Sequence, residues 1–198
     1  MLRGAKRAGQ IDRDGLYGMQ WGDPQKVQFL KYVRDNYLMP FVNPDHSAVE
    51  IGPGGGRWTK YMLAFERLYA VDFYQDLLDE LQKNFRSPAL VFLKNNGTDF
   101  PGVLPRSIDF VFSFGCFVHL DIPVISKYLE SIAKICKASA NIVIHYSDKE
   151  KDLAKRTLTF SENTPTIMRN LVIDKGYRIL KEDSDIFPHS AIMLIAPR

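Results

Sequence analysis

The sequence predicts an α/β fold, a mostly parallel sheet with helices on both faces. Three observations point there. Short β-rich runs alternate with helical ones from Ser47 onward, a glycine-rich turn follows the first of those runs directly, and 45% of the 198 residues are hydrophobic. A chain of this length buries roughly 70% of the surface its unfolded form exposes, so one core suffices.

Residues 1–22 are rich in Gly, Arg and Lys and lack periodicity, so they read as an arm with Tyr17 and Trp21 near its end. Asp23 and Pro24 form an N-cap and first-turn pair ahead of Val27, Phe29, Leu30, Val33 and Tyr37 at helical spacing, which predicts about four turns ending near Pro40. Residues 1–46 are therefore expected to be an arm and lid helix, and 47–198 the main domain. Strands are predicted at 48–51, 68–71, 90–93, 108–113, 141–145, 177–181 and 191–196, with helices at 58–64, 74–85, 124–136 and 165–175. Thr164 caps the last helix, Pro165 opens it and Gly176 closes it. Residues 182–189 are long enough for an antiparallel return, which puts the odd strand direction at the C-terminal end.

Composition narrows the partners. Lys and Arg number 26 against 23 Asp and Glu, and a net charge of +3 argues against a dedicated polyanion binder, so no nucleic acid is expected. Cys116 and Cys136 lie in apolar segments, which fits a reducing, cytoplasmic setting. No apolar run approaches the ~20 residues that span a bilayer, so no membrane is expected either.

The most informative stretch is residues 49–57, Val-Glu-Ile-Gly-Pro-Gly-Gly-Gly-Arg, a strand entering a glycine turn before a helix. Residues without Cβ adopt positive φ and let a ligand approach the backbone, and open α/β sheets bind ligands at the carboxyl ends of their strands. A dinucleotide fingerprint needs a small residue where Arg57 stands, which disfavours NAD. A phosphate loop needs Gly-Lys-Ser/Thr, but Arg57 and Trp58 follow Gly56, which disfavours ATP and GTP. What remains is Gly52, Gly54 and Gly56 preceded by Glu50 and followed, about twenty residues on, by Asp72, whose carboxylate can accept both ribose hydroxyls. An ordinary strand-to-helix turn is the plain alternative.

These residues resemble the class I S-adenosylmethionine (SAM)-dependent methyltransferases over about 47–198. The first motif of that family looks like Glu50 to Gly56, its ribose-binding acid like Asp72 in Tyr-Ala-Val-Asp-Phe, and its fourth-strand motif like Ile-Asp-Phe-Val-Phe-Ser-Phe at 108–114. The resemblance implies a Rossmann-like three-layer sandwich with strand order 3-2-1-4-5-7-6 and strand seven antiparallel. It implies SAM as cofactor and S-adenosylhomocysteine (SAH) as product, with Glu50, Gly52, Gly54, Gly56, Asp72, Phe73, Asn96, Gly97, Thr98, Ser113 and Phe114 at the cofactor. SAM carries a sulfonium and an ammonium but no phosphate, so an acidic rim suits it. Two departures stand out. Asn96 occupies the place of an adenine-binding acid, and Lys137-Ala138-Ser139-Ala140 replaces the usual Pro-Gly-Gly turn before strand five.

Methyl transfer is an in-line displacement that depends on positioning, and a hydroxyl acceptor also has to lose a proton. His119, in Phe-Val-His-Leu-Asp, and His145, in Ile-Val-Ile-His-Tyr-Ser-Asp, fall at the ends of strands four and five. His119 is the expected base and His145 an orienting residue. Asp121 and Asp148 lie close to them in sequence, but a residue or two of loop is poor ligand spacing, so no metal is expected. Ser-Phe-Gly-Cys-Phe stands where a base-methylating enzyme would carry Asn/Asp-Pro-Pro-Tyr. Tyr17, Trp21 and Tyr146 are the candidate acceptor contacts, with Phe160 and the cations Lys149, Lys151, Lys155 and Arg156 nearby in sequence. A weaker resemblance to bacterial glycan and sugar O-methyltransferases points to a small-molecule acceptor with a sugar- or polyol-like hydroxyl. N-methylation and SAM binding without catalysis stay open, and a monomer or homodimer is expected.

Overall fold

The computed structural model describes residues 17–18 and 21–198, so most of the predicted arm lies outside the described residues. The chain forms two compact units divided between Asn96 and Gly97. The first contains α1 (Gln28–Val33), β1 (Ser47–Ile51), α2 (Thr59–Met62), β2 (Arg67–Asp72), α3 (Gln75–Asn84) and β3 (Leu90–Lys94). The second contains β4 (Ile108–Ser113), a 3₁₀ turn (Phe117–His119), α4 (Ile122–Ile135), β5 (Cys136–Ser147), α5 (Asp152–Arg156), α6 (Pro165–Asp174), β6 (Tyr177–Asp183) and β7 (Ser190–Pro197).

The seven strands form one sheet in the order β3-β2-β1-β4-β5-β7-β6. β1, β2 and β3 pair in parallel, as do β4 and β5, whereas β7 runs antiparallel to both β5 and β6. This is the topology the resemblance implies. β1 and β7 are buried along nearly their whole length, as central strands covered on both faces must be. On α4 the buried residues Ile125, Tyr128, Leu129, Ile132 and Ile135 recur at three- and four-residue intervals and form one apolar stripe. Among the described residues no helix is long and apolar enough to cross a membrane.

Three local expectations are corrected. The single helix predicted from Asp23 to Pro40 is broken. The Asp23 carboxylate accepts the Gln25 N–H at 3.0 Å and its carbonyl closes a turn to Lys26 and Val27, so the α-helix starts only at Gln28. It then widens into a π turn (Arg34–Leu38) and tightens into a 3₁₀ turn (Met39–Phe41) around Pro40. The stretch 137–140, read as a turn, belongs to β5, where the register jumps between the Ile108–Cys136 and Phe110–Asn141 pairs and Lys137 reaches Asp109 at 2.8 Å. The connection 147–163, read as a loop, contains α5.

The α6 prediction matches its cap: the Thr164 hydroxyl accepts the Ile167 N–H and Pro165 opens the helix. At the other end of that element, the buried Tyr177 hydroxyl donates to the Leu129 carbonyl of α4 at 2.7 Å and ties β6 to that helix. Tyr177→Phe is expected to cost about 1 kcal/mol and lower the Tm by about 2–4 °C, read by thermal denaturation.

Candidate active site

The glycine turn is built by the residues around it. Gly52 donates to the Val71 carbonyl at 2.9 Å, which ties the end of β1 to β2. Gly56 has φ +96°, and a Cβ there would lie 2.1 Å from the Phe85 ring and 2.8 Å from Leu81, so this glycine lets the turn pack on α3. Gly54 has φ +57°, and a Cβ there would lie 3.3 Å from the Tyr17 ring. Tyr17 also accepts the Gly55 N–H on its carbonyl at 2.8 Å, and its ring meets Trp21 edge-on at 5.4 Å. Of the two arm residues chosen from the sequence, Tyr17 lies at the glycine turn and Trp21 lies against Tyr17. Burial, and then the charge of Asp72, push the Tyr17 phenol up.

Two carboxylates sit beneath and beside this turn. Glu50 is 2% exposed and accepts the Thr59 hydroxyl at 2.6 Å, which joins the end of β1 to the start of α2. Burial pushes its carboxyl up to about 7, while Thr59 and the Arg57 charge pull the other way. Arg57 is itself enclosed, with its guanidinium 5.7 Å from the centre of the Trp58 ring, and burial pushes it down to about 10. Asp72 is buried at the end of β2, where it accepts the Tyr74 N–H at 2.9 Å. Burial pushes it up to about 6 against the pull of the Tyr74 and Phe73 N–H groups. Phe73 follows it with half its surface exposed, edge-on to Tyr74 at 5.1 Å. Asn96, the expected adenine contact, is exposed. Its neighbour Asn95, passed over in the sequence, is buried and donates its N–H to the Asp72 carbonyl at 3.0 Å. The only signal for it was its place one residue past β3.

In the second unit, aromatic rings and imidazoles gather at the ends of β4 and β5. His145 stacks on Phe114 at 4.0 Å with 6° between the planes and lies 4.9 Å from Phe187. Its Nδ1 accepts the Gly115 N–H at 3.1 Å, so Nε2 carries the proton and donates to the Ser190 hydroxyl at 2.7 Å. The ring is 3% exposed and both nitrogens are engaged, which makes it a support for the turn after β4. His119 is different. It is exposed, and its Nδ1 lies 2.7 Å from the Thr159 carbonyl. A carbonyl only accepts, so Nδ1 carries the hydrogen and Nε2 keeps a lone pair. Phe160 meets two imidazoles edge-on, His119 at 5.4 Å and His189 at 5.3 Å. The sequence reading missed His189 because it precedes a strand rather than follows one.

Other predicted residues lie elsewhere. Tyr146 points to the opposite face of β5, as strand alternation requires, and its hydroxyl donates to Glu182, which also takes Arg169 at 2.5 Å. Burial and Glu182 push that phenol far up. Ser113 is buried at the end of β4, while Gly97 and Thr98 are half-buried. Asp121 occupies the N-cap of α4 without a side-chain cap bond. Lys149 pairs with Glu162 at 3.4 Å and Lys155 with Asp152 at 3.2 Å, while the Lys151 ammonium is bound by backbone carbonyls. Among the described residues no group of three or more His, Cys, Asp or Glu could hold a metal ion.

The family model described as a methyltransferase domain matches residues 48–139, from the start of β1 into β5. Residues 48–139 form a methyltransferase domain. Solved structures share the fold across nearly the whole chain. A chain from the complex between the Haloferax volcanii Trm112 methyltransferase activator and a methyltransferase superposes with a TM-score of 0.75 at 17% identity, covering 100% of this chain and 98% of that one. A SAM-dependent methyltransferase from Aquifex aeolicus gives 0.71 at 14% identity, with coverage of 98% and 97%. Geranyl diphosphate C-methyltransferase from Streptomyces coelicolor, solved with Mg²⁺, geranyl diphosphate and SAH, gives 0.70 at 11% identity, with coverage of 96% and 91%. No curated protein sequence matches significantly. The Aquifex aeolicus protein is described as SAM-dependent and the Streptomyces coelicolor structure holds SAH, so the cofactor of these neighbours is SAM.

The residues present suit that cofactor. A carboxylate has about four lone-pair positions, and the backbone N–H groups of Phe73 and Tyr74 leave room on Asp72 for a ribose diol. Because the folded-state pKa of Asp72, about 6, lies above the ordinary carboxyl value of 3.8, its protonation-linked stability is complete at low pH and lost as pH rises through about 6. Asp72→Asn is therefore expected to raise the Tm of the ligand-free protein at pH 8 while weakening SAH by at least about tenfold, read by thermal shift and calorimetry. Gly56→Ala is expected to cost several kcal/mol, since its Cβ would lie only 2.1 Å from Phe85 at a positive φ, and urea denaturation measures the loss.

Proposed function

We propose that the methyltransferase acts on a hydroxyl of a small molecule, with His119 as the base. One observation carries this reading: the Thr159 carbonyl holds the Nδ1 hydrogen of an exposed imidazole, which leaves Nε2 ready to take a proton. Asp72 would hold the ribose, exposed Phe73 would offer a face to the adenine, and the glycine turn with Tyr17 over it would hold the remainder. SAM supplies a methyl group on a sulfonium that needs no further activation. The protein's remaining task is to orient the hydroxyl and receive its proton, and an amine acceptor would make less use of a free imidazole nitrogen.

The cations Lys149, Lys151, Lys155 and Arg156 would suit a phosphate or carboxylate on a sugar- or polyol-like carrier. Lys149 and Lys151 are engaged within the protein while Lys155 and Arg156 are exposed, so the reading rests chiefly on the rings, which stack on the C–H face of a sugar or on another flat carbon skeleton. Residues 1–46 remain the proposed cover of the cofactor site, with the Tyr17 contact to Gly55 as support.

A panel of alcohols, sugars and amines, read by SAH release, tests the acceptor class. With the best alcohol, His119→Ala is expected to lower kcat by about 10²–10⁴-fold with SAM affinity unchanged, and added imidazole to restore part of the loss. Turnover confined to amines, or full activity in the variant, would overturn the reading.

A further inference from the structure

The connection into β7 is folded around a single ammonium. Lys151 Nζ donates to the carbonyls of Ser184, Phe187 at 2.9 Å and Ser190 at 2.8 Å, and lies 3.6 Å from the Asp148 carboxylate. An ammonium has three N–H groups, so three carbonyls consume them all. The Asp148 N–H donates to the His189 carbonyl at 3.1 Å. The backbone on both sides of His189 is thereby pinned.

The His189 ring sits among rings. It meets Phe160 edge-on at 5.3 Å, lies near-parallel to Phe187 at 6.3 Å and is 6.3 Å from His145. Its Nδ1 is enclosed and has no hydrogen-bond partner among the described residues. An orphaned buried N–H is rarer than an orphaned acceptor, so the proton belongs on Nε2 rather than on the enclosed Nδ1. Burial and the Lys151 charge both disfavour the protonated ring. His189 is thus a neutral imidazole presenting an N–H, whereas His119, on the same Phe160 ring, presents a lone pair.

A hydroxyl is the group that satisfies both, because it donates one hydrogen bond and accepts another, while an alkylammonium only donates. We propose that His189 is a second acceptor-binding residue, donating from Nε2 to the oxygen of the hydroxyl whose proton His119 takes, and that Lys151 is the positioning residue that holds it there. The proposal rests on the reading of His119 as the base and adds the reason for selecting alcohols over amines.

The test uses the full chain loaded with SAH, carrying ¹⁵N-labelled histidine, and two probes that share a skeleton: benzyl alcohol and benzylamine, the latter protonated at pH 7.5. Benzyl alcohol is expected to move the Nε2 signals of both His119 and His189 and leave those of His145 in place. It should bind about tenfold more tightly than benzylamine, the worth of about one hydrogen bond. His189→Phe is expected to abolish that preference and His189→Gln, which keeps an N–H donor, to restore most of it. Lys151→Met should loosen the connection, read as faster amide exchange at 184–190, and reduce the preference with SAH affinity unchanged. If benzyl alcohol moves His119 alone, or His189→Phe keeps the preference, the proposal is wrong while the His119 reading stands. If neither histidine responds, both fall, and failure to bind SAH removes the cofactor assignment instead.

Discussion

The direction of one strand decides where the chemistry of the second unit lies. β7 runs against β5, so Ser190 at its beginning stands beside Ser147 at the end of β5. The chain entering β7 is therefore delivered to the carboxyl ends of the parallel strands, the edge at which open α/β sheets bind their ligands. Phe187 and His189 arrive there by that route, and His145 arrives from β5 itself. A parallel seventh strand would begin at the other edge, and the row of rings would lose two of its members.

The two units handle buried charge in opposite ways. In the first, Glu50 and Asp72 take their hydrogen bonds from a threonine hydroxyl and backbone N–H groups, and burial pushes both carboxyls upward although the Arg57 charge pulls Glu50 the other way. Carboxylates buried in this way destabilise the fold when they are ionised. In the second unit, the Lys151 ammonium is surrounded by carbonyls and the Asp148 carboxylate. That charge has no capacity left for a ligand, and its effect is to give a connection without strand or helix pairing a fixed shape.

Three histidines of one chemical type are sorted by their neighbours into three states. His145 has a donor on one side and an acceptor on the other, so it is a cross-brace between the turn after β4 and the start of β7. His119 has a single carbonyl partner, which fixes its tautomer and leaves a lone pair on Nε2. His189 has an enclosed nitrogen with no partner, which fixes the opposite tautomer. The state of an imidazole is set by what each nitrogen touches, and neither nitrogen's partner is close in sequence.

The sequence by itself determined the class of fold, the glycine turn and its place after β1, the carboxylate at the end of β2 and the base candidate after β4. All of these follow from short-range chemistry: the period of the hydrophobic pattern, the turn that glycine permits, and the fixed distance from one strand end to the next. The tertiary structure alone decided that His145 is a brace, that Tyr146 is turned towards Glu182, that Lys151 is consumed by three carbonyls, and that His189 joins the row. These depend on partners 30 or more residues apart, such as Gly115 for His145 and Ser184 for Lys151, and such pairings are made by strand direction and packing. The break in the predicted first helix has the same character. Its apolar spacing was correct, but the Asp23 carboxylate hydrogen-bonds the backbone of a turn instead of capping a helix, and a pattern of apolar residues contains no information about which of those two bonds forms.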